Sequence, residues 1–239
     1  MKFNGYRLFL RSSIYLGIGY FASFVLYYLS NYIYSVDALY YAWQFLQKGI
    51  YLLLPIIAAL ITLISSAFIG SGKACLNAIP LALVRTVYFV PYFYLMIITE
   101  GFDSVESLFY SALLALGEAI ISYAVTVLIF TAMRFIIKKR GTGRELSHIM
   151  TEPTVLDTSN PTSLAFLAVS LFSFVYFTVG EVIDTVAFIS DYGFTFNTTE
   201  LIYTVISYIF DILVPLLYYF ILSLLKNYII SSRMYTTTK

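Results

Sequence analysis

Residues 77–134 read NAIPLALVRTVYFVPYFYLMIITEGFDSVESLFYSALLALGEAIISYAVTVLIFTAMR: two apolar runs joined by the acidic turn TEGFDSVES. Each run carries one ionisable side chain deep inside it, Arg85 in the first and Glu118 in the second. Crossing about 30 Å of hydrocarbon takes a helix of roughly 20 apolar residues, and both runs are long enough. A charge in such a run is costly when alone, so it faces the interior of a bundle or water and marks a candidate site. The stretch therefore reads as a helical hairpin of an integral membrane protein. Asp211, inside the last apolar run of the chain, supplies a third group of the same kind.

Composition agrees with that reading. Of 239 residues, 60% are hydrophobic and only 11% charged, against roughly a quarter charged in soluble globular chains. That leaves too little polar surface to clothe a water-soluble domain of this size. With 23 Tyr and 21 Phe a lipid-spanning β-barrel has to be weighed. Barrels show alternating segments of about ten residues, whereas these runs are continuous, so the barrel is excluded. A net charge of +1 without a basic stripe excludes a nucleic-acid partner. Cys75 is the single cysteine and has no partner within the chain for a disulfide.

Six apolar runs fall at about 12–34, 48–69, 76–98, 107–137, 162–183 and 201–228. The expected fold is all-α: a polytopic membrane protein whose six transmembrane helices form three hairpins in a single transmembrane domain over residues 1–239. The first run follows Lys2, Arg7 and Arg11 like the core of a signal peptide, yet it exceeds the usual length of about 7–15 residues and is expected to stay as a span. Ser13, Gly17 and Ser23 sit near helical spacing in it and suit close packing. A short loop with Asp37 and the interfacial Trp43 leads to the second span. The GSGKAC turn after it lacks the first glycine of a phosphate loop, because that position is Ala67. Residues 140–161 are the one long polar stretch and read as a cytoplasmic linker, with His148 a solvated loop residue.

Lysine and arginine accumulate in short cytoplasmic loops. With the N-terminus inside, every Lys and Arg falls on the inner side except Lys48, outside, and Arg85, within the membrane. Both termini are accordingly expected in the cytoplasm, with the cell membrane as the location. Asn197-Thr198-Thr199 then places a glycosylation sequon on the outer side.

At about 1.5 Å per residue from the outer ends of their spans, Glu118 and Asp211 lie roughly 15 Å deep and Arg85 roughly 20 Å deep, all near the midplane. The sequence reading makes Arg85, Glu118 and Asp211 the substrate- or ion-binding candidates, with an Arg85–Glu118 pair across the hairpin as the simplest arrangement and Asp211 either a second partner or a separate protonatable group. LFYSALLALGEAI and LIYTVISYIFDIL resemble each other: Tyr110 and Ser111 precede Glu118 as Tyr203 and Thr204 precede Asp211. Such likeness between hairpins is frequent in transporters. Ser111, Ser122 and Thr126 fall on the face of Glu118, and Thr204 and Ser207 on the face of Asp211, either lining a hydrated path or bonding helix to helix. Pro55, Pro80, Pro91 and Pro215 are candidate kinks, since proline frees a carbonyl that must be satisfied elsewhere.

No metal-ligand set, nucleophile turn or protease signature occurs, so no catalytic residue, metal or cofactor is expected. Two function classes remain. The first is a small-solute or ion transporter or permease subunit working through the midplane charges. The second is a non-catalytic membrane scaffold or assembly subunit in which those charges fix helix register. The expected partners are the lipid bilayer and either another membrane protein or a second copy of the chain.

Overall fold

The computed structural model describes residues 14–15, 17–19, 21–22, 25, 37–69, 78–99, 104–192 and 198–234. Lys2, Arg7, Arg11, Ser13, Ser23, the GSGKAC turn, Asp103, the Asn197 sequon position and the tail 235–239 lie outside the described residues, as do the side chains of Asp37, Trp43, Lys48, Pro80 and Arg85.

Among the described residues the regular structure is entirely helical. The helices are α1 (Asp37–Ile69), α2 (Ala78–Thr99), α3 (Ser104–Arg140), the short α4 (Leu146–Thr151), α5 (Pro161–Tyr192) and α6 (Thr198–Met234). Three segments are long and apolar enough to cross a membrane by length and composition: Val105–Arg140, Pro161–Ser190 and Leu201–Ser231. Leu52–Phe68 within α1 is a shorter apolar helix.

Several helices outrun the apolar runs that nucleate them. α1 reaches back through Trp43 to Asp37, where a loop is expected from the sequence. No glycine or proline interrupts residues 37–47, so the backbone ladder has no reason to stop at the apolar boundary. α5 likewise continues to Tyr192, nine residues past the expected end of its run, which puts Asp184 on a helix. Membrane thickness sets how many residues must be apolar, but local propensity sets where the helix ends.

The order of packing follows from connection length. α2 and α3 are joined by residues 100–103 and lie against each other along their length, which four connecting residues permit only if the two run antiparallel. α5 and α6 form a second antiparallel pair across residues 193–197. α1 is wedged between the pairs and packs on α2, α3, α4 and α6. Its stretch from Leu52 to Ser66 is buried almost all the way round, with Ile56, Ala59, Leu60, Leu63 and Ile64 wholly enclosed. An evenly apolar helix is the kind that can sit enclosed in this way. In the first apolar run, Gly19 approaches Leu54, where an added Cβ would come within 3.3 Å of Leu54 Cδ2.

The outward faces carry the large apolar side chains, among them Leu108, Phe109, Leu113, Leu116 and Ile120 on α3. The inward face of the same helix is small and hydroxylated: Ser107, Ser111, Ala115, Ala119, Ser122 and Thr126. This distribution suits a bundle bathed in lipid, where outer side chains dissolve in hydrocarbon and small inner ones let backbones approach. From Ile129 to Ile137 the inward face turns large and apolar, where α3 meets the core made with α1, α4 and α5.

Candidate functional site within the bundle

The two acids singled out by the sequence end up in different surroundings. Asp211 on α6 is 0% exposed. It lies on a buried stripe that runs through Ser207, Asp211, Val214, Tyr218 and Leu222 to Lys226, spaced by three and four residues as one face of a helix requires. Pro215 is buried beside it, one turn on. Glu118 on α3 is only part-buried and flanks the inward stripe, whose centre at that level is Ala119.

Their helices are also placed differently. Arg85 belongs to α2, about 14 residues before its end at Thr99, and Glu118 to α3, about 14 residues after its start at Ser104. In an antiparallel hairpin these positions are level, roughly 21 Å from the turn. α2 and α3 are thus brought together with their two ionisable positions at one height. Among the described residues α6 packs closely on neither of them; α1 and α5 stand between. Asp211 is carried by α6, which packs on α1 and α5.

Two hydroxyls of the α3 stripe are bound to their own helix. Ser111 Oγ donates to the Ser107 carbonyl at 2.5 Å, and Thr126 Oγ1 to that of Ser122 at 2.7 Å. Elsewhere in the bundle Thr62 donates to Ala58 O at 2.8 Å, Ser173 to Val169 O at 3.0 Å and Ser223 to Tyr219 O at 2.8 Å. A hydroxyl that returns to its own helix needs no water and lets the neighbouring helix come close. Buried and locally bonded, the α3 stripe is a packing surface. Tyr110 points away from it and is 50% exposed, while Tyr203 and Thr204 are part-buried. On α5, Ser170 Oγ and Thr178 Oγ1 are buried with no hydrogen-bond partner among the described residues. They supply polar capacity to the pair that carries Asp211.

Of the four prolines, Pro80 is the third residue of α2, where its missing N–H forfeits no helical bond. Pro55, Pro91 and Pro215 are interior to their helices, and each helix continues on both sides of its proline.

Polar groups that the sequence reading did not single out lie at the far end of α6. Lys226 is 1% exposed, and its Nζ donates to the Glu152 carbonyl and, at 2.9 Å, to Thr154 Oγ1. Tyr219 Oη donates to the Val155 carbonyl at 3.1 Å and shares a 2.7 Å hydrogen bond with Ser163 Oγ of α5. Tyr218 is buried next to Tyr219, and its hydroxyl is hydrogen-bonded with the backbone of Leu53 on α1. In the sequence Lys226 passes for one more inner-side positive charge. The available signal was its phase, since the helical period carried on from Asp211 returns to the same face at Lys226.

Residues 141–160 are folded onto this end of the bundle. Gly141 leaves room for Ile149, whose Cδ1 would stand 2.4 Å from a Cβ at that position. Gly143 takes a φ of 81°, a left-handed turn that favours glycine. Ile149 and Met150 are buried in the core. Glu152 accepts from Arg144 Nη1 at 2.7 Å, with His148 Nδ1 3.7 Å from the same oxygen. Asp157 accepts from the backbone and side chain of Ser159, which together hold its carboxyl below the ordinary range, the side-chain bond contributing most. Asn160 caps α5 by accepting from the backbone of Thr162 at 2.9 Å and Ser163 at 3.2 Å.

Comparison of the chain with protein-family models, with curated proteins and with solved structures returns no match. Among the described residues the chain is an all-helical bundle with three helices long and apolar enough to cross a membrane.

Proposed function

We propose that the chain is a subunit of a small-solute or ion transporter, spanning the cell membrane six times with both termini in the cytoplasm, and that Asp211 is the protonatable group at its centre. The observation that carries this reading is the complete burial of Asp211 ten residues into the apolar segment Leu201–Ser231, which is long enough to cross a membrane. Intramembrane carboxyls are expensive and are retained mostly where a solute or proton must be handled. A carboxyl can hold and release a proton without any cofactor, so coupling to an ion gradient needs nothing that the chain lacks. Ser207, one turn before Asp211, and the hydroxyls of Ser170 and Thr178 on α5, which have no hydrogen-bond partner among the described residues, are proposed to hydrate a path to it. Arg85 and Glu118, level on the other hairpin, are proposed to neutralise each other or to meet an anionic solute. The protein acts without catalysis of its own, in contact with lipid and with either a second copy or another membrane protein.

A scaffold reading is favoured by one observation: the Ser111 and Thr126 hydroxyls on α3 are spent on their own backbone. An assembly subunit requires only that the charges fix helix register.

Accessibility separates the two. In a Cys75→Ser background, Ser207→Cys should react with a membrane-impermeant methanethiosulfonate in vesicles, whereas Ser122→Cys stays silent. A silent Ser207→Cys, together with an Asp211→Leu chain that still supports full activity of the membrane complex, would leave scaffolding as the function.

A further inference from the structure

We propose that residues 141–160 are a releasable strap, held shut across the end of the α5–α6 pair by Lys226, and that its undocking uncovers a polar pocket formed by Ser163, Tyr219, Ser223 and Lys226. This goes beyond the transport reading and holds or fails independently of it.

The strap has few anchors and they are unlike one another. Its apolar hold is Ile149 with Met150, both enclosed in the core. Its polar hold is a row of three successive acceptors, Glu152 O, Thr154 Oγ1 and Val155 O, taken by Lys226 and Tyr219, which lie seven residues apart on one face of α6. The remainder, Val155 to Ser159, is exposed. A buried ammonium is tolerated only with its hydrogen bonds made and an opposite charge near. The Glu152 carboxylate supplies that charge and is itself steadied by Arg144 from within the strap. Removing the strap would therefore return Lys226 to water, which solvates an ammonium well and offsets much of what the closed contacts contribute. Docked and undocked forms are thus near enough in free energy to exchange.

The ends of the segment suit such a motion. Gly141 and Gly143, the second already left-handed, provide a hinge after α3. At the other end Asn160 stays with α5 through its cap and reaches back to the Pro153 carbonyl at 3.3 Å, a contact that breaks as the strap leaves. What is uncovered is already polar: Thr162 Oγ1 is buried there without a hydrogen-bond partner among the described residues, and the Ser163 hydroxyl is bonded to that of Tyr219.

Hydrogen exchange on the full chain in lipid nanodiscs tests this. Lys226→Met keeps the stem and removes the donors, and Thr154→Val weakens the same joint from the strap side without touching α6. Both should speed amide exchange over residues 147–156 by at least about tenfold, leaving α3 and α5 at wild-type rates. Exchange within about twofold of wild type in both variants would overturn the strap, as would acceleration spread evenly over all helices. If Lys226→Met fails to fold, Thr154→Val alone decides between the same two outcomes.

Discussion

α3 and α6 carry nearly the same local sequence around an acid and bury opposite choices from it. LFYSALLALGEAI, residues 108–120, turns Ser111, Ala115 and Ala119 inward and leaves Glu118 on the flank. LIYTVISYIFDIL, residues 201–213, turns Ser207 and Asp211 inward and leaves Ile212, the counterpart of Ala119, exposed to the outside. The inward stripes differ by one residue, a rotation of about 100° on a helix. α3 faces α2 closely and needs small side chains there, so alanine and serine win the interior. α6 faces α1 and α5 and buries Tyr218, Tyr219 and Leu222 as well as Asp211. Likeness of sequence around an ionisable residue thus says little about whether the bundle encloses it; the neighbour's size does.

The sharpest way to break this comparison is function. Asp211→Asn should lower proton flux into pyranine-loaded proteoliposomes by about a hundredfold, whereas Glu118→Gln should lower it less than about tenfold. Equal losses would make the two acids one centre after all. Stability comes next. Tyr218→Ala, which empties an enclosed site on α6, should cost about 3–5 kcal/mol in reversible unfolding in mixed detergent, while Ala115→Leu on α3, which overfills the hairpin, should cost about 1–3 kcal/mol. Leu128→Ala, on the exposed side of α3, should stay within about 0.5 kcal/mol.

Hydroxyl deletions give smaller differences. Tyr219→Phe removes bonds that join α6 to α5 and to the strap and should cost about 1–2 kcal/mol, against less than about 0.5 kcal/mol for Ser111→Ala, whose bond stays within its own helix. The smallest effect is expected at Asp157. Its folded-state pKa lies below 3.8, so its contribution is fully present above that value and is lost as pH falls through the lowered one. The Ser159 amide resonance should shift along that acid limb. An unshifted resonance would mean the turn is held without the carboxylate.

How much of this could be read beforehand differs by region. The apolar runs announced α3, α5 and α6 because lipid demands an unbroken apolar length, and hydropathy records that demand directly. Asp211 stood out for the same reason. The ends of α1 and α5 were hidden, since a helix leaving the membrane changes its solvent and keeps its hydrogen-bond pattern. The strap was hidden more deeply. Residues 140–161 look polar and featureless because only Leu146, Ile149 and Met150 pack them on the core, and so few apolar side chains make no sustained periodic signal. Lys226 reads as one more inner-side charge in the sequence, although its helical phase places it on the face of Asp211.

By itself the chain determined its solvent and its class. Sixty per cent apolar composition in long unbroken runs calls for helices, three of which are long and apolar enough to cross a membrane, whatever the neighbours are. Only the tertiary arrangement decided which acid is enclosed, that α1 sits between two hairpins, and that a polar connector folds back onto a buried lysine. Those outcomes depend on which helix faces lie within reach of each other, and side-chain contact across separate spans leaves no mark in the order of residues along any one of them.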